Sequence, residues 1–204
     1  MTKIKICGIT NYEDAKNAAD LGADFLGFNF YSKSPRYLDK NAAKSIINKI
    51  QDNIFKVGVF VNEDINKINE MMDFCNIDLI QLSGDEDSQY VNKLKKSTKK
   101  KIIKTFRIKN GFDIKNLDLF DSDYVMLDSF KEGFYGGTGE RFDLNLIKNA
   151  DNKKLFLAGG LNDANVKEAI QKLNPFAVDV CSSIESEPGK KDFNKMKRFI
   201  EAAR

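Results

Sequence analysis

Short apolar runs recur about every 25 residues along the chain, and amphipathic stretches separate them. The runs predict strands at residues 4–7, 25–28, 55–61, 77–82, 101–106, 124–128, 155–158 and 177–181. The stretches between them predict helices. Residues 11–21 open on a capping asparagine and stop at Gly22, and residues 38–50 carry Asp39 as a cap. Residues 64–74 place Ile65, Ile68, Met71 and Met72 on one face. Further helices are predicted at 85–94, 113–120, from Asp143 for a short span, at 162–173 and at 192–203.

Continuous apolar strands joined by helices imply a parallel sheet buried on both faces. Eight such units with no remainder favour closure of the sheet, so the expected fold is α/β, a single (β/α)8 TIM barrel forming one domain over residues 1–204. In that architecture function gathers on the loops that follow the strands, which directs attention to the polar residues at strand C-terminal ends.

Composition narrows the picture. The 33 basic and 30 acidic residues leave a net charge of +3, too balanced to argue for nucleic acid. The lysines at 95–96 and 99–101 read as a solvated helix end. No apolar run approaches the roughly 20 residues that span a bilayer, so no membrane partner is expected. The opening residues already enter a strand and show no targeting segment. Three widely spaced cysteines, Cys7, Cys75 and Cys181, suit neither a disulfide framework nor a zinc site, and a reducing cytoplasm fits them best. Histidine is absent altogether. Acid–base chemistry near neutrality therefore falls to Cys, Asp, Glu, Lys or Tyr, with the environment moving their pKa values.

Four strand ends stand out: Cys7, Asp128, the glycines after Ala158 and the segment after Val180. In Lys3-Ile4-Lys5-Ile6-Cys7, period two turns Lys5 and Cys7 into the barrel and the isoleucines toward the helices. A small buried hydrophobe is the bland alternative for Cys7; a neighbouring ammonium argues instead for a thiolate. Asp128 ends the sixth strand, and the glycine-rich stretch from Glu132 to Gly139 after it reads as a binding loop or lid. Gly159 and Gly160 after the seventh strand, with Ser182 and Ser183 after the eighth, lie where barrels commonly cradle phosphate on backbone amides. Arg36 stands on the loop after the second strand, either as a solvated turn residue or as a fork for a carboxylate.

With these residues in view, the chain resembles the phosphoribosylanthranilate isomerase family of tryptophan biosynthesis. The likeness rests on Lys5-Ile6-Cys7-Gly8-Ile9-Thr10, Ser34-Pro35-Arg36-Tyr37, Val57-Gly58-Val59-Phe60-Val61-Asn62, Gly136-Gly137-Thr138-Gly139 with Phe142-Asp143, Ala158-Gly159-Gly160-Leu161 with Asn165-Val166, and Asp179-Val180. The resemblance implies an Amadori rearrangement of N-(5-phosphoribosyl)anthranilate, with Asp128 as general acid and Cys7 as general base. It implies that Arg36 holds the anthranilate carboxylate. It implies that amides of Gly159, Gly160 and the Ser182–Ser183 loop hold the phosphate, with Asp179 nearby. The expected partner is a small phosphorylated substrate, with no cofactor and no metal, in a monomer or homodimer.

Two departures from the family pattern stand out. Ser83-Gly84 replaces a His-Gly pair, and Cys181-Ser182-Ser183-Ile184-Glu185 replaces Ser-Ser-Gly-Val-Glu. Ser183 would be strained if its position demanded positive φ. The histidine-pathway isomerase of the same fold uses two aspartates, and Cys7 stands where the first would be. A sugar-phosphate-binding barrel without chemistry is the alternative that the departures leave open.

Overall fold

The computed structural model describes residues 1–108, 114–129 and 154–204. Eight strands form a closed, all-parallel barrel in sequence order: β1 Lys3–Cys7, β2 Phe25–Asn29, β3 Phe55–Phe60, β4 Leu79–Leu82, β5 Lys101–Ile108, β6 Tyr124–Ser129, β7 Leu155–Leu157 and β8 Ala177–Val180. Each predicted strand is present, with ends displaced by one or two residues. Closure is made by β1 against β8, where Lys5 pairs with Asp179 and Ile6 with Val180.

Period two holds around the ring. Ile4 and Ile6 are buried in the layer between strands and helices, whereas Lys5 is fully buried inside the barrel. The interior is packed by Phe25, Val57, Leu79, Ile103, Met126, Phe156 and Ala177, so the barrel is filled rather than hollow. Gly27 of β2 faces Cys7; a Cβ there would stand 2.8 Å from the Cys7 Sγ and 3.2 Å from the Lys5 Nζ. The missing side chain makes room for the functional pair.

Among the described residues the outer helices are α1 Tyr12–Asp20, α2 Lys40–Ile47, α3 Ile65–Cys75, α4 Ser88–Ser97, α5 Val166–Leu173 and α6 Phe193–Ala203. Asn11, Asp39, Asp64, Asp87 and Asp192 accept hydrogen bonds from first-turn amides, which satisfies donors that have no partner inside the helix. Two helices begin clearly later than the sequence pattern predicts. Glu86 turns inward to the Lys104 ammonium at 2.7 Å, so α4 is capped by Asp87 and not by Asp85. Asn165 reaches back to the Asn162 amide and the Gly160 carbonyl, both at 2.9 Å, which holds the preceding residues in a turn and delays α5 to Val166.

Between β5 and β6 the predicted helix is a 3-10 segment, Ile114–Leu119. The predicted helix from Asp143 and the stretch from Glu132 to Gly139 lie outside the described residues. After β8 come a 3-10 turn, Ser182–Ile184, and a small antiparallel pair, β9 Glu185–Glu187 and β10 Lys190–Lys191. Among the described residues, no helix is long and apolar enough to cross a membrane.

Candidate active site

At the C-terminal end of the strands lies a cavity of about 430 Å³, lined by Cys7, Arg36, Gln81, Ser83, Asp128 and Asp179 among others. A smaller cleft opens beside it between Ala158–Leu161 and Val180–Ser183. Asp128, Asp179 and Cys181 border both. The residues singled out from the sequence, Cys7, Arg36, Asp128, Gly159, Gly160, Asp179, Ser182 and Ser183, therefore line two adjoining spaces at one end of the barrel.

The floor of the site is ionic. Lys5 reaches Asp179 at 2.6 Å, entirely inside the barrel. Burial pulls the Lys5 ammonium down, but Asp179 and Cys7 outweigh it and the net shift is upward. The lysine keeps its charge directly beneath Cys7. The Cys7 thiol lies well below its ordinary range. The main cause is a hydrogen bond from the Cys181 side chain; burial works against it, and the Lys5 and Lys191 charges add to it. Cys181 is pushed the other way, by its contact with Cys7 and by burial.

Across the mouth, burial pushes the Asp128 carboxyl up to about 6. The amide of Ser129 donates to its Oδ1 at 2.8 Å and opposes the shift, while the charge on Cys7 reinforces it. A depressed thiol and a raised carboxyl in one cavity form a base and an acid that coexist near neutral pH.

Arg36 is not a solvated turn residue. Its guanidinium grips Glu185 bidentately, Nε at 2.8 Å from Oε1 and Nη2 at 2.7 Å from Oε2. The Lys191 ammonium joins the same carboxylate at 2.9 Å. Burial resists ionisation of Glu185, but Arg36 and Lys191 outweigh it and hold the carboxyl below its usual range. Two cations share one anion, which leaves a net positive charge at the cavity wall. Gly8 makes this possible: at φ +73°, a Cβ there would sit 2.6 Å from the Arg36 Cδ and 2.9 Å from the Cys181 Sγ.

Gly159 and Gly160 both have positive φ, at +84° and +66°. A Cβ on Gly159 would lie 2.7 Å from the Ser129 amide nitrogen, so the β7 loop packs against the end of β6 as only glycine allows. Ser183 is not among the positive-φ residues, so the strain contemplated for it is absent. Its hydroxyl donates to the Leu161 carbonyl at 2.5 Å and ties the eighth loop to the seventh. Where the family pattern has histidine, Ser83 accepts from Gln81 Nε2 at 3.0 Å and meets the Thr105 hydroxyl at 3.2 Å. The Gln81 Oε1 is buried without a hydrogen-bond partner among the described residues. Among those residues, no group of three or more Cys, Asp or Glu side chains converges as metal ligands would.

Sequence reasoning misses three participants. Nothing in the sequence pattern assigns Glu185 and Lys191 to Arg36, because the Arg36–Glu185 pairing spans 149 residues and leaves no trace in local spacing. Cys181 is within reach of the period-two argument, since it follows Asp179 as Cys7 follows Lys5.

The family model for N-(5'phosphoribosyl)anthranilate (PRA) isomerase matches residues 4–202. A curated N-(5'-phosphoribosyl)anthranilate isomerase of Bacillus cereus (strain AH187) is 43% identical over 201 residues, covering 97% of this chain and 96% of that protein. The crystal structure of phosphoribosyl anthranilate isomerase from Thermotoga maritima superposes with a TM-score of 0.88 at 36% identity, covering 100% of this chain and 98% of that one. A crystal structure of a phosphoribosyl anthranilate isomerase in complex with reduced 1-(o-carboxyphenylamino)-1-deoxyribulose 5-phosphate superposes at 0.85 and 36% identity, with 100% and 98% covered. Matched along nearly its whole length by sequence and by shape, the chain belongs to the N-(5'-phosphoribosyl)anthranilate isomerase family.

Proposed function

We propose that this barrel, one domain over residues 1–204, converts N-(5'-phosphoribosyl)anthranilate to 1-(2-carboxyphenylamino)-1-deoxyribulose 5-phosphate, a step of tryptophan biosynthesis. The reaction is an Amadori rearrangement of a small phosphorylated substrate. Asp128 gives its proton to the ribose ring oxygen; the bond from C1 to that oxygen breaks, and the anilinic nitrogen carries the charge as an iminium. The Cys7 thiolate then removes the proton from C2. The electron pair returns to nitrogen, leaving an enolamine that tautomerises to the aminoketose.

One observation carries this assignment of roles. Cys7 and Asp128 end strands on the same rim and share a cavity, and their pKa values are displaced in opposite directions. Burial also raises Asp179, to about 7, but its carboxyl is engaged by the Lys5 ammonium at 2.6 Å, which leaves Asp128 as the acid facing substrate. Each transfer by a placed acid or base is worth roughly 10²–10⁴-fold. The net positive charge of the Arg36, Glu185 and Lys191 group favours the anthranilate carboxylate, which can take guanidinium donors that Glu185 leaves over. The phosphate is assigned to the amides of Gly159, Gly160, Ser182 and Ser183, because the Ser183 hydroxyl is already spent on Leu161. Asp179 acts from below, by keeping Lys5 charged and in place.

Loss of phosphoribosylanthranilate fluorescence on adding purified protein tests the reading, with Cys7→Ala run alongside. Turnover by the native chain and none by the variant is expected. A native chain that leaves the signal unchanged overturns the activity, and an active Cys7→Ala overturns the role of the sulfur.

A further inference from the structure

The wall between β1 and β8 holds a second sulfur beside the proposed base. Lys5 pairs with Asp179 and Ile6 with Val180. Cys7 and Cys181 are the next residues of the two segments, Cys181 just past the end of β8, and their side chains hydrogen-bond to one another. Adjacent strands lie roughly 4.7–4.9 Å apart, inside the Cα separations of about 4.4–6.8 Å that a disulfide accepts. Both sulfurs border the same cavity, and both cysteines are free thiols. Small oxidants therefore reach them from the side by which substrate enters.

We propose that Cys7 and Cys181 form a peroxide-sensitive dithiol, and that its closure to a disulfide reversibly switches the isomerase off. The loss of activity, though not the disulfide itself, rests on the reading of Cys7 as the base. The Cys7 thiolate attacks one oxygen of hydrogen peroxide; the O–O bond breaks, hydroxide leaves and takes up a proton as water, and Cys7 becomes a sulfenic acid. The Cys181 sulfur gives up its proton and attacks the Cys7 sulfur. The S–O bond breaks and a second water departs. Two thiols are oxidised by two electrons in all, and one peroxide is reduced to two waters.

The environment sets the order of these events. Cys7 is the sulfur held as thiolate, which is the reactive form. Cys181 stays protonated as the resolving thiol, and the Lys191 ammonium at 3.8 Å from its Sγ favours its ionisation when it is called on. Cys75 is an internal control, because it lies on α3, where its thiol donates to the Lys40 carbonyl at 3.4 Å, away from the barrel mouth.

The test is graded hydrogen peroxide on the purified full chain, read by intact mass, by peptide mapping and by activity before and after dithiothreitol. Expected are a mass lower by about 2 Da, a Cys7–Cys181 cross-linked peptide, activity reduced at least tenfold, and recovery with dithiothreitol. In Cys181→Ser the same treatment should carry Cys7 on to sulfinic acid, which dithiothreitol does not reverse. Native protein that gains oxygen on Cys7 without a cross-link overturns the dithiol, as does Cys181→Ser recovering as fully as native. A mapped disulfide in fully active protein would instead overturn the switch together with the base role of Cys7. No disulfide alongside an inactive Cys7→Ala overturns the dithiol alone.

Discussion

The two walls of the cavity are built on different principles. The wall of β1, β2, β8 and the segments after them is charged and internally paired: Lys5 with Asp179 at 2.6 Å, Arg36 with Glu185 at 2.8 and 2.7 Å, and Lys191 with Glu185 at 2.9 Å. Below a rim ion pair, Arg107 of β5 with Asp85, the wall of β4 and β5 is neutral, a chain from Gln81 through Ser83 to Thr105 that ends in an amide oxygen without a partner among the described residues. Buried charges are tolerated only when paired, so the charged wall is fixed before substrate arrives. A neutral acceptor left unpaired costs about 1–3 kcal/mol, an amount the fold tolerates and a bound donor recovers. Preorganisation for chemistry and anion binding belongs to the first wall, and adaptable polar contact to the second.

The most severe break in that contrast is removal of the acid or the base. Cys7→Ala and Asp128→Asn should each lower kcat by at least about 10²-fold with unchanged circular dichroism. Near-native kcat in either variant would mean that the charged wall does not carry the proton transfers. Arg36→Ala comes next. It removes charge-assisted hydrogen bonds worth about 1.5–3 kcal/mol, so KM should rise roughly 10–150-fold with a much smaller change in kcat. A fall in kcat at constant KM would move Arg36 from carboxylate binding to the chemical step. The variant also leaves Glu185 with Lys191 alone, so its melting temperature should fall.

How much of this contrast is legible in the sequence follows from what spacing can encode. The eight strands, the caps at Asn11 and Asp39 and the inward turn of Lys5 and Cys7 all follow from local periodicity and capping chemistry. The acid and base can be found because strand ends in a barrel converge on one rim. The partner of Arg36 cannot, since a bond between residues 36 and 185 depends on closure of the ring. The start of α5 escapes the pattern because Asn165 spends its side chain on a turn instead of letting the helix begin at Asn162. The neutral wall shows in the sequence only as a missing histidine; that Ser83 in its place meets Gln81 and Thr105 needs the register of β4 on β5.

A smaller effect separates function from stability on the charged side. Asp128 has a folded-state pKa of about 6, above the unfolded reference of about 3.9, so the native state disfavours its ionised form. Stability attributable to the protonated carboxyl is full below about pH 4 and is lost as pH rises through about 6. An uncharged amide at this position would carry no such penalty. Asp128→Asn should therefore match the native chain at about pH 4 and exceed it at pH 8 by on the order of 1–3 kcal/mol, a few degrees in Tm for a domain of this size. A native chain that melts above the variant at pH 8 would show that its carboxylate is well solvated or paired, and would remove the reason for a raised acid.

The gentlest probe falls on the neutral wall. In Gln81→Leu the fold loses one neutral hydrogen bond to Ser83, and it also loses a buried acceptor that had no partner. These terms oppose each other and are each about 1 kcal/mol, so folding stability should change by less than about 1 kcal/mol in either direction. Bound substrate presents hydroxyls and an anilinic N–H to the cavity, and one donor to Oε1 would be worth about 0.5–1.5 kcal/mol, so KM should rise only about two- to tenfold. Ser83→Ala works in the opposite sense: it strands Gln81 Nε2 as well, and should cost stability without a comparable change in KM. Chemical denaturation and steady-state kinetics on the two variants separate the cases. A Gln81→Leu protein destabilised by more than about 2 kcal/mol with native KM would mean that the amide is already fully satisfied before substrate binds. The neutral wall would then be as self-contained as the charged one, and the division of labour between them would fail.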